Sequence, residues 1–148
     1  MAKIQLIVGT VNGTAWKSAQ GAAAILDKLG HNPVVNEETT AQDLARDPEE
    51  VLLICCSTTG DGEVPQNIYP IYTALDNESI DLAGRKYGVI ALGDRGFPRF
   101  AHAGFLMEDA LYRCGARRIG EMLTIDAQVE DRPPLAAAMW ARDWAELC

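Results

Sequence analysis

The sequence predicts a three-layer α/β fold: a parallel sheet reached by right-handed crossovers, with helices on both faces. Three observations lead there. Five short apolar runs lack the strict alternation of a half-exposed strand, as strands covered on both sides require. Segments with helical spacing lie between the runs, so that strand and helix alternate along the chain. Polar, glycine-bearing loops follow the first, third and fourth runs, whereas the loops at the other ends look ordinary.

IQLIV (4–8) is the first strand, and after it Thr14 is placed to cap a helix whose Ala19, Ala22, Ala23, Leu26 and Leu29 share one side, with Gly30 as the stop. PVVN (33–36) is the second strand and VLLICC (51–56) the third. IYPIYTAL (68–75) is a shorter helix that tolerates Pro70 near its start. YGVIAL (87–92) is the fourth strand, and AGFLMEDALYRCG (103–115) the helix behind it, with Leu106, Ala110, Leu111 and Cys114 as its core stripe. EMLTI (121–125) is the fifth strand. PPLAAAMWARDWAEL (133–147) opens with proline in its first turn and sets Trp140 and Trp144 four apart. With no internal repeat, low-complexity segment or linker, residues 1–148 read as a single domain.

Composition narrows the function. Hydrophobic residues at 48% and charged residues at 23% are the balance of a soluble globular protein. A formal charge of -8 and a pI near 4.7 disfavour nucleic acid or anionic membrane as partner and suit a basic protein, although acidity that only maintains solubility has the same signature. Cys55, Cys56, Cys114 and Cys148 show no C-x-x-C spacing, and adjacent residues in a strand point to opposite faces, so they read as reduced packing residues. The opening MAKIQLIVGT is too short in its apolar run for a signal peptide, and no run approaches membrane-spanning length, so a cytoplasmic location is expected. His31 and His102 are isolated and read as surface residues; no triad or metal cluster is visible in the sequence.

Ligands of open parallel sheets bind beyond the carboxyl ends of the strands, which directs attention to three loops. GTVNGTAW (9–16) brings Thr10, Asn12, Gly13 and Thr14 straight into a helix start, a convergence of hydroxyls, an amide and backbone N–H groups that suits a phosphate; a plain capped helix start has the same composition. Neither the G-x-x-x-x-G-K-[ST] pattern of triphosphate sites nor the G-x-G-x-x-G of dinucleotide sites is present. STTGDGEVPQN (57–67) is crowded with hinge residues and acids. GDRGFPRF (93–100) carries Phe97 and Phe100, three apart, where Phe97 can face outward to stack on a planar ring and Phe100 can turn inward to plug the core.

Together the loops resemble those of the flavodoxins and the related FMN domains of diflavin reductases. The matching stretches are T-x-N-G-T-A at 10–15, S-T-T-G-D-G at 57–62 and A-L-G-D-x-x-F-x-x-F at 91–100. The resemblance extends over the whole chain and, because the last strand has no room for a long insertion, is to the short-chain type with strand order 2-1-3-4-5.

The resemblance implies an FMN-containing carrier that passes single electrons from a flavodoxin/ferredoxin reductase to an acceptor enzyme through the flavin semiquinone and hydroquinone, docking through an acidic rim, as a monomer. It assigns the phosphate to Thr10, Val11 (through its backbone), Asn12, Gly13, Thr14 and Ala15, where Ala15 replaces a hydroxyl residue of many relatives. It assigns the ring to Ser57, Thr58, Thr59, Gly60, Asp61 and Gly62, and to Leu92, Gly93, Asp94, Phe97, Phe100 and Ala101. The Gly60-Asp61 peptide is the one that turns over when the flavin takes its first electron, offering a carbonyl to the protonated N5, and glycine permits both orientations. Thr59 stands where many relatives carry Trp, Tyr or Met, and Phe97 where Tyr is usual, so weaker FMN binding than is general in the family is expected. A carboxylate about 8 Å from the flavin disfavours the reduced anion by about 2 kcal/mol, close to 90 mV. Asp61, Glu63 and Asp94 therefore lower the potential of the second reduction, while Arg95 and Arg99 oppose them.

Two other classes share the sheet. An FMN-dependent NAD(P)H:quinone reductase needs a nicotinamide or quinone site, usually built by inserts that are not found here. A receiver-type signalling module needs acids at the ends of the first and third strands, where this chain has Gly9-Thr10 and Ser57-Thr58.

Overall fold

Apolar runs without alternation become strands with no wet face: all six residues of VLLICC are buried. The computed structural model describes residues 1–10, 13–58, 62–96 and 100–148. Strands β1 (Lys3–Gly9), β2 (Asn32–Asn36), β3 (Val51–Cys56) and β4 (Lys86–Gly93) pair in parallel, and two short segments, β5 (Arg117–Arg118) and β6 (Leu123–Asp126), both run parallel to β4. The order is β2-β1-β3-β4-β5, with β6 also on β4, as the resemblance implies. In the register, Gly9 lies opposite Cys56, Cys56 opposite Ala91, and Gly93 opposite Asp126, so the strands end at nearly one level and β4 projects two residues further.

The helices are α1 (Thr14–Lys28), α2 (Ala41–Leu44), α3 (Tyr69–Asp76), α4 (His102–Arg113) and α5 (Pro133–Trp144), with a 3-10 turn at Gln66–Ile68 leading into α3. Side chains alternate along each strand between two cores. Ile4, Leu6, Val8, Leu53, Cys55 and Ile90 meet α1 and α5, while Ile7, Leu52, Ile54, Cys56 and Val89 meet α3 and α4. Each fully buried Leu or Ile contributes about 1.5–3 kcal/mol. That burial makes the carboxyl edge of the sheet a rigid base for its loops.

Several details depart from the sequence reading. The fifth strand, read at 121–125, begins only at Leu123, and the short β5 at 117–118 has no counterpart in that reading. Gly120 takes the left-handed conformation (φ +74°), and the carbonyls flanking it turn to α5: Trp144 Nε1 donates to the Ile119 carbonyl at 3.0 Å and Trp140 Nε1 to that of Glu121 at 3.2 Å. The two indoles stack with centroids 5.4 Å apart. The segment 41–44, to which no element was assigned from the sequence, is the one-turn α2, with the Asp43 carboxylate accepting from the Thr40 N–H at 2.9 Å. Gly13, not Thr14, is the cap of α1. On α4 the buried stripe runs through Ala103, Met107, Ala110 and Leu111, and Leu106 is only partly buried. His31 is not a surface residue: it is buried, and its Nδ1 accepts from the Ala2 N–H at 3.2 Å.

The amino edge of the sheet is less ordinary than its sequence. Buried Gln5, Glu50 and Arg85 meet there: Gln5 Nε2 donates to Glu50 Oε1 at 2.9 Å, Arg46 pairs with the same carboxylate, and the Arg85 guanidinium donates to the carbonyls of Leu44 and Glu50.

Candidate functional site

At the carboxyl edge, β1 is followed by Thr10, whose Oγ1 accepts from the Gly13 N–H at 2.9 Å. Gly13 sits at φ +89° as the cap of α1, a conformation that costs glycine little. Among the described residues no side chain caps α1 and its first turn carries no acid, so the positive end of the helix faces the first loop. Thr14 is the first helical residue; Ala15 is fully buried in the core shared with α5, which leaves its backbone as the part that can meet a ligand. Val11 and Asn12 lie outside the described residues.

The second loop leaves β3 still tied to β1, since the Ser57 N–H donates to the Gly9 carbonyl at 2.8 Å. The Thr58 hydroxyl accepts from the Ala103 N–H at 3.2 Å and so joins this loop to the start of α4. Gly62 is buried at φ +101° and Glu63 is exposed; Thr59, Gly60 and Asp61 lie outside the described residues. Sequence reasoning passed over Asn67, at the end of the same stretch. Its Oδ1 accepts from the Thr10 N–H at 3.0 Å, and its Nδ2 donates to the Val8 carbonyl at 2.6 Å and, less closely, to that of Glu37 at 3.4 Å. One amide thereby holds the exit of β1 against the exit of the second loop.

In the third loop Leu92 is buried, and the Gly93 carbonyl accepts from the Ala127 N–H at 2.8 Å, extending the sheet past β6. Asp94 Oδ1 closes a turn on the Gly96 N–H at 2.7 Å. Phe100 is partly buried against the α3–α4 core, the inward role expected of it, with the Arg95 guanidinium 4.3 Å from its ring centroid. Ala101, buried at φ +55°, leads into α4. Phe97, Pro98 and Arg99 lie outside the described residues. Arg95 is also paired with Asp126 (Nε to Oδ2, 3.3 Å), an acid the sequence reading did not consider, so its charge is already answered within the protein.

The structure thus brings Thr10, Gly13, Thr14, Ser57, Thr58, Gly93, Asp94 and Phe100 to one edge of the sheet. The cysteines are free thiols, and burial pushes Cys55 well above the usual thiol range and Cys56, the last residue of β3 at this edge, up to about 12. Among the described residues no group of three or more His, Cys, Asp or Glu is placed to hold a metal ion, and no helix is long and apolar enough to cross a membrane.

Known proteins share this arrangement. The flavodoxin family model matches residues 6–140, a span that contains all three loops. The chain is 38% identical over 147 residues to Flavodoxin YqcA of Pectobacterium carotovorum subsp. carotovorum, covering 99% of this chain and 97% of that protein. It is 32% identical over 147 residues to Protein MioC of Escherichia coli (strain K12), covering 99% of each. Among solved structures, a cysteine-to-serine mutant of flavodoxin from Pseudomonas aeruginosa superposes with a TM-score of 0.90 at 29% identity, covering 98% of this chain and 97% of that one. The chain therefore belongs to the flavodoxin family, whose proteins bind FMN and act as electron carriers.

Proposed function

We propose that this chain is a short-chain flavodoxin that shuttles single electrons from a flavodoxin/ferredoxin reductase to an acceptor redox enzyme. The observation that carries the reading is the convergence of three loops on one rigid edge, with the amino end of α1 facing the first loop. An FMN phosphate fits there: the Thr10 hydroxyl, the Gly13 bend and the first-turn N–H groups of α1 suit a dianion, with Val11, Asn12, Thr14 and Ala15 completing the set. The ring is assigned to Ser57–Gly62 on one side and to Leu92, Gly93, Asp94, Phe97, Phe100 and Ala101 on the other. When bound, FMN supplies the capacity to accept electrons one at a time; the chain holds it, shields it from water and presents its edge.

Residues 1–148 act in this reading as one domain, a cytoplasmic monomer. Its charge of -8, with Glu63 exposed and Asp94 half-buried beside the site, favours docking to a basic face of each partner. The test is the visible spectrum of the FMN-loaded protein during stepwise anaerobic reduction. Long-wavelength absorbance of one-electron-reduced neutral flavin at intermediate stages is the expected result. Steady bleaching by NAD(P)H alone overturns it in favour of a quinone reductase, and failure to bind FMN overturns the assignment of the site.

A further inference from the structure

The fifth strand position ends in Asp126, which is only 8% exposed, and the three loops as read above make no use of it. Its carboxylate is shared among three donors. Oδ1 accepts from the Gln128 N–H at 3.0 Å and from the Arg95 N–H at 3.3 Å, while Oδ2 faces Arg95 Nε at 3.3 Å. The same guanidinium lies over the ring of Phe100. Arg95 and Phe100 bracket the segment that carries Phe97, and one carboxylate governs both: the first through backbone and side chain, the second through the cation resting on it. The neighbouring Ala127 N–H to Gly93 carbonyl bond carries the same connection back into β4.

The pair also has an electrostatic role. Arg95 is largely exposed, with 65% of its side chain accessible, whereas Asp126 is buried, so removing the arginine strands a negative charge beside the site. Removing the acid leaves two backbone donors without an acceptor and an uncompensated cation over Phe100.

We propose that Asp126 is a positioning residue for the flavin: it fixes both ends of the third loop to the fifth strand and cancels the charge of Arg95 at that edge. This rests on the flavodoxin reading given above, and binding of FMN by the unaltered protein is the control that separates the two.

The experiment titrates FMN into apoprotein, following quenching of flavin fluorescence, for the wild type, Asp126→Ala, Asp126→Asn, Arg95→Gln and the double variant Asp126→Asn/Arg95→Gln. Thermal unfolding of each apoprotein is recorded alongside, and the potential of the second one-electron step is measured on each loaded form. D126A is expected to weaken FMN binding at least about tenfold, equivalent to about 1.4 kcal/mol, while the asparagine, which keeps an oxygen for both N–H groups, stays within about threefold of wild type. The potential should fall in R95Q, rise in D126N and return to the wild-type value in the double variant. A carboxylate that merely stabilised the fold would lower apoprotein stability without moving affinity or potential, and that pattern overturns the proposal. So does equal loss of binding in D126A and D126N. Should D126A fail to fold, the three potentials decide: no shift in either single variant, or a double variant whose potential stays displaced from the wild-type value, refutes it. A wild type that does not bind FMN refutes the flavodoxin reading itself.

Discussion

Asn67→Asp exchanges an amide nitrogen for an oxygen at a side chain that holds two loops together. The wild-type amide accepts from the Thr10 N–H at 3.0 Å and donates to the Val8 carbonyl at 2.6 Å, with a contact to the Glu37 carbonyl at 3.4 Å that is too long to add much. Truncation to alanine removes the two good bonds, each contributing about 0.5–1.5 kcal/mol net; because Asn67 is exposed and water can replace part of the loss, about 1–2 kcal/mol is expected. For a chain of this length that lowers Tm by about 2–8 °C. Aspartate keeps the acceptor for Thr10 but sets an anionic oxygen against the Val8 carbonyl, orphaning that carbonyl and adding repulsion, so N67D should be less stable than N67A at pH 7 by about 1 kcal/mol or more. The pH dependence has a defined sign. A carboxylate facing a carbonyl has its folded pKa raised, so its favourable form is the protonated one, present below the unfolded pKa and lost as pH rises through the folded value. As a neutral acid it can donate to Val8, and the deficit of N67D against wild type should shrink on going from pH 7 to below about 4. Circular dichroism melts of the apoproteins across that range are the assay. An N67D protein as stable as wild type at pH 7 refutes the assigned donor to Val8, and with it the coupling of the first and second loops through this side chain.

Other predictions concern the scaffold. A Cβ added at Gly21 of α1 lands on the Pro134 carbonyl oxygen, well inside contact distance, so Gly21→Ala should force α1 from α5 and cost about 1–3 kcal/mol, read as a lower urea midpoint with an unchanged slope. Trp144→Phe removes the donor to the Ile119 carbonyl and should cost about 1–3 kcal/mol; an unchanged melt shows that the late start of β6 does not depend on it. Burial raises the Cys55 and Cys56 thiols, and raises Cys148 to about 11, so alkylation near pH 8 should be slow in the native state, with Cys148 reacting before the other two. Because those thiols titrate higher folded than unfolded, their contribution to stability holds below about pH 9 and declines above it. The Thr40 N–H holds the Asp43 carboxylate below the usual range, so the stability difference between wild type and Asp43→Ala should be flat at neutral pH and narrow as pH falls below about 4.

What was legible in the sequence was what depends on local pattern. VLLICC and YGVIAL read as doubly covered strands because no polar residue interrupts them, and the breaks at Gly30 and Gly115 announced the helix ends. The three loops were legible as loops because glycine, hydroxyl and acidic residues interrupt the apolar runs there. What escaped depends on partners far along the chain. Asn67 acts through Thr10 and Val8, more than fifty positions away; Asp126 is defined by Arg95, and His31 by the Ala2 backbone. A one-turn helix at 41–44 is too short for periodicity to register. The pair 117–118 escaped because two exposed arginines carry no strand pattern, and the late start of β6 at Leu123 depends on a left-handed glycine and two indole donors rather than on composition.

The polar knot of Gln5, Glu50, Arg46 and Arg85 has a consequence for how such a protein can diversify. It clasps β1, β3 and β4 at the end where the chain enters each strand, while the three glycine-bearing loops leave from the other end. Changes in those loops therefore need not pass through the groups that keep the strands in register. Such a sheet can vary one rim at little risk to the fold.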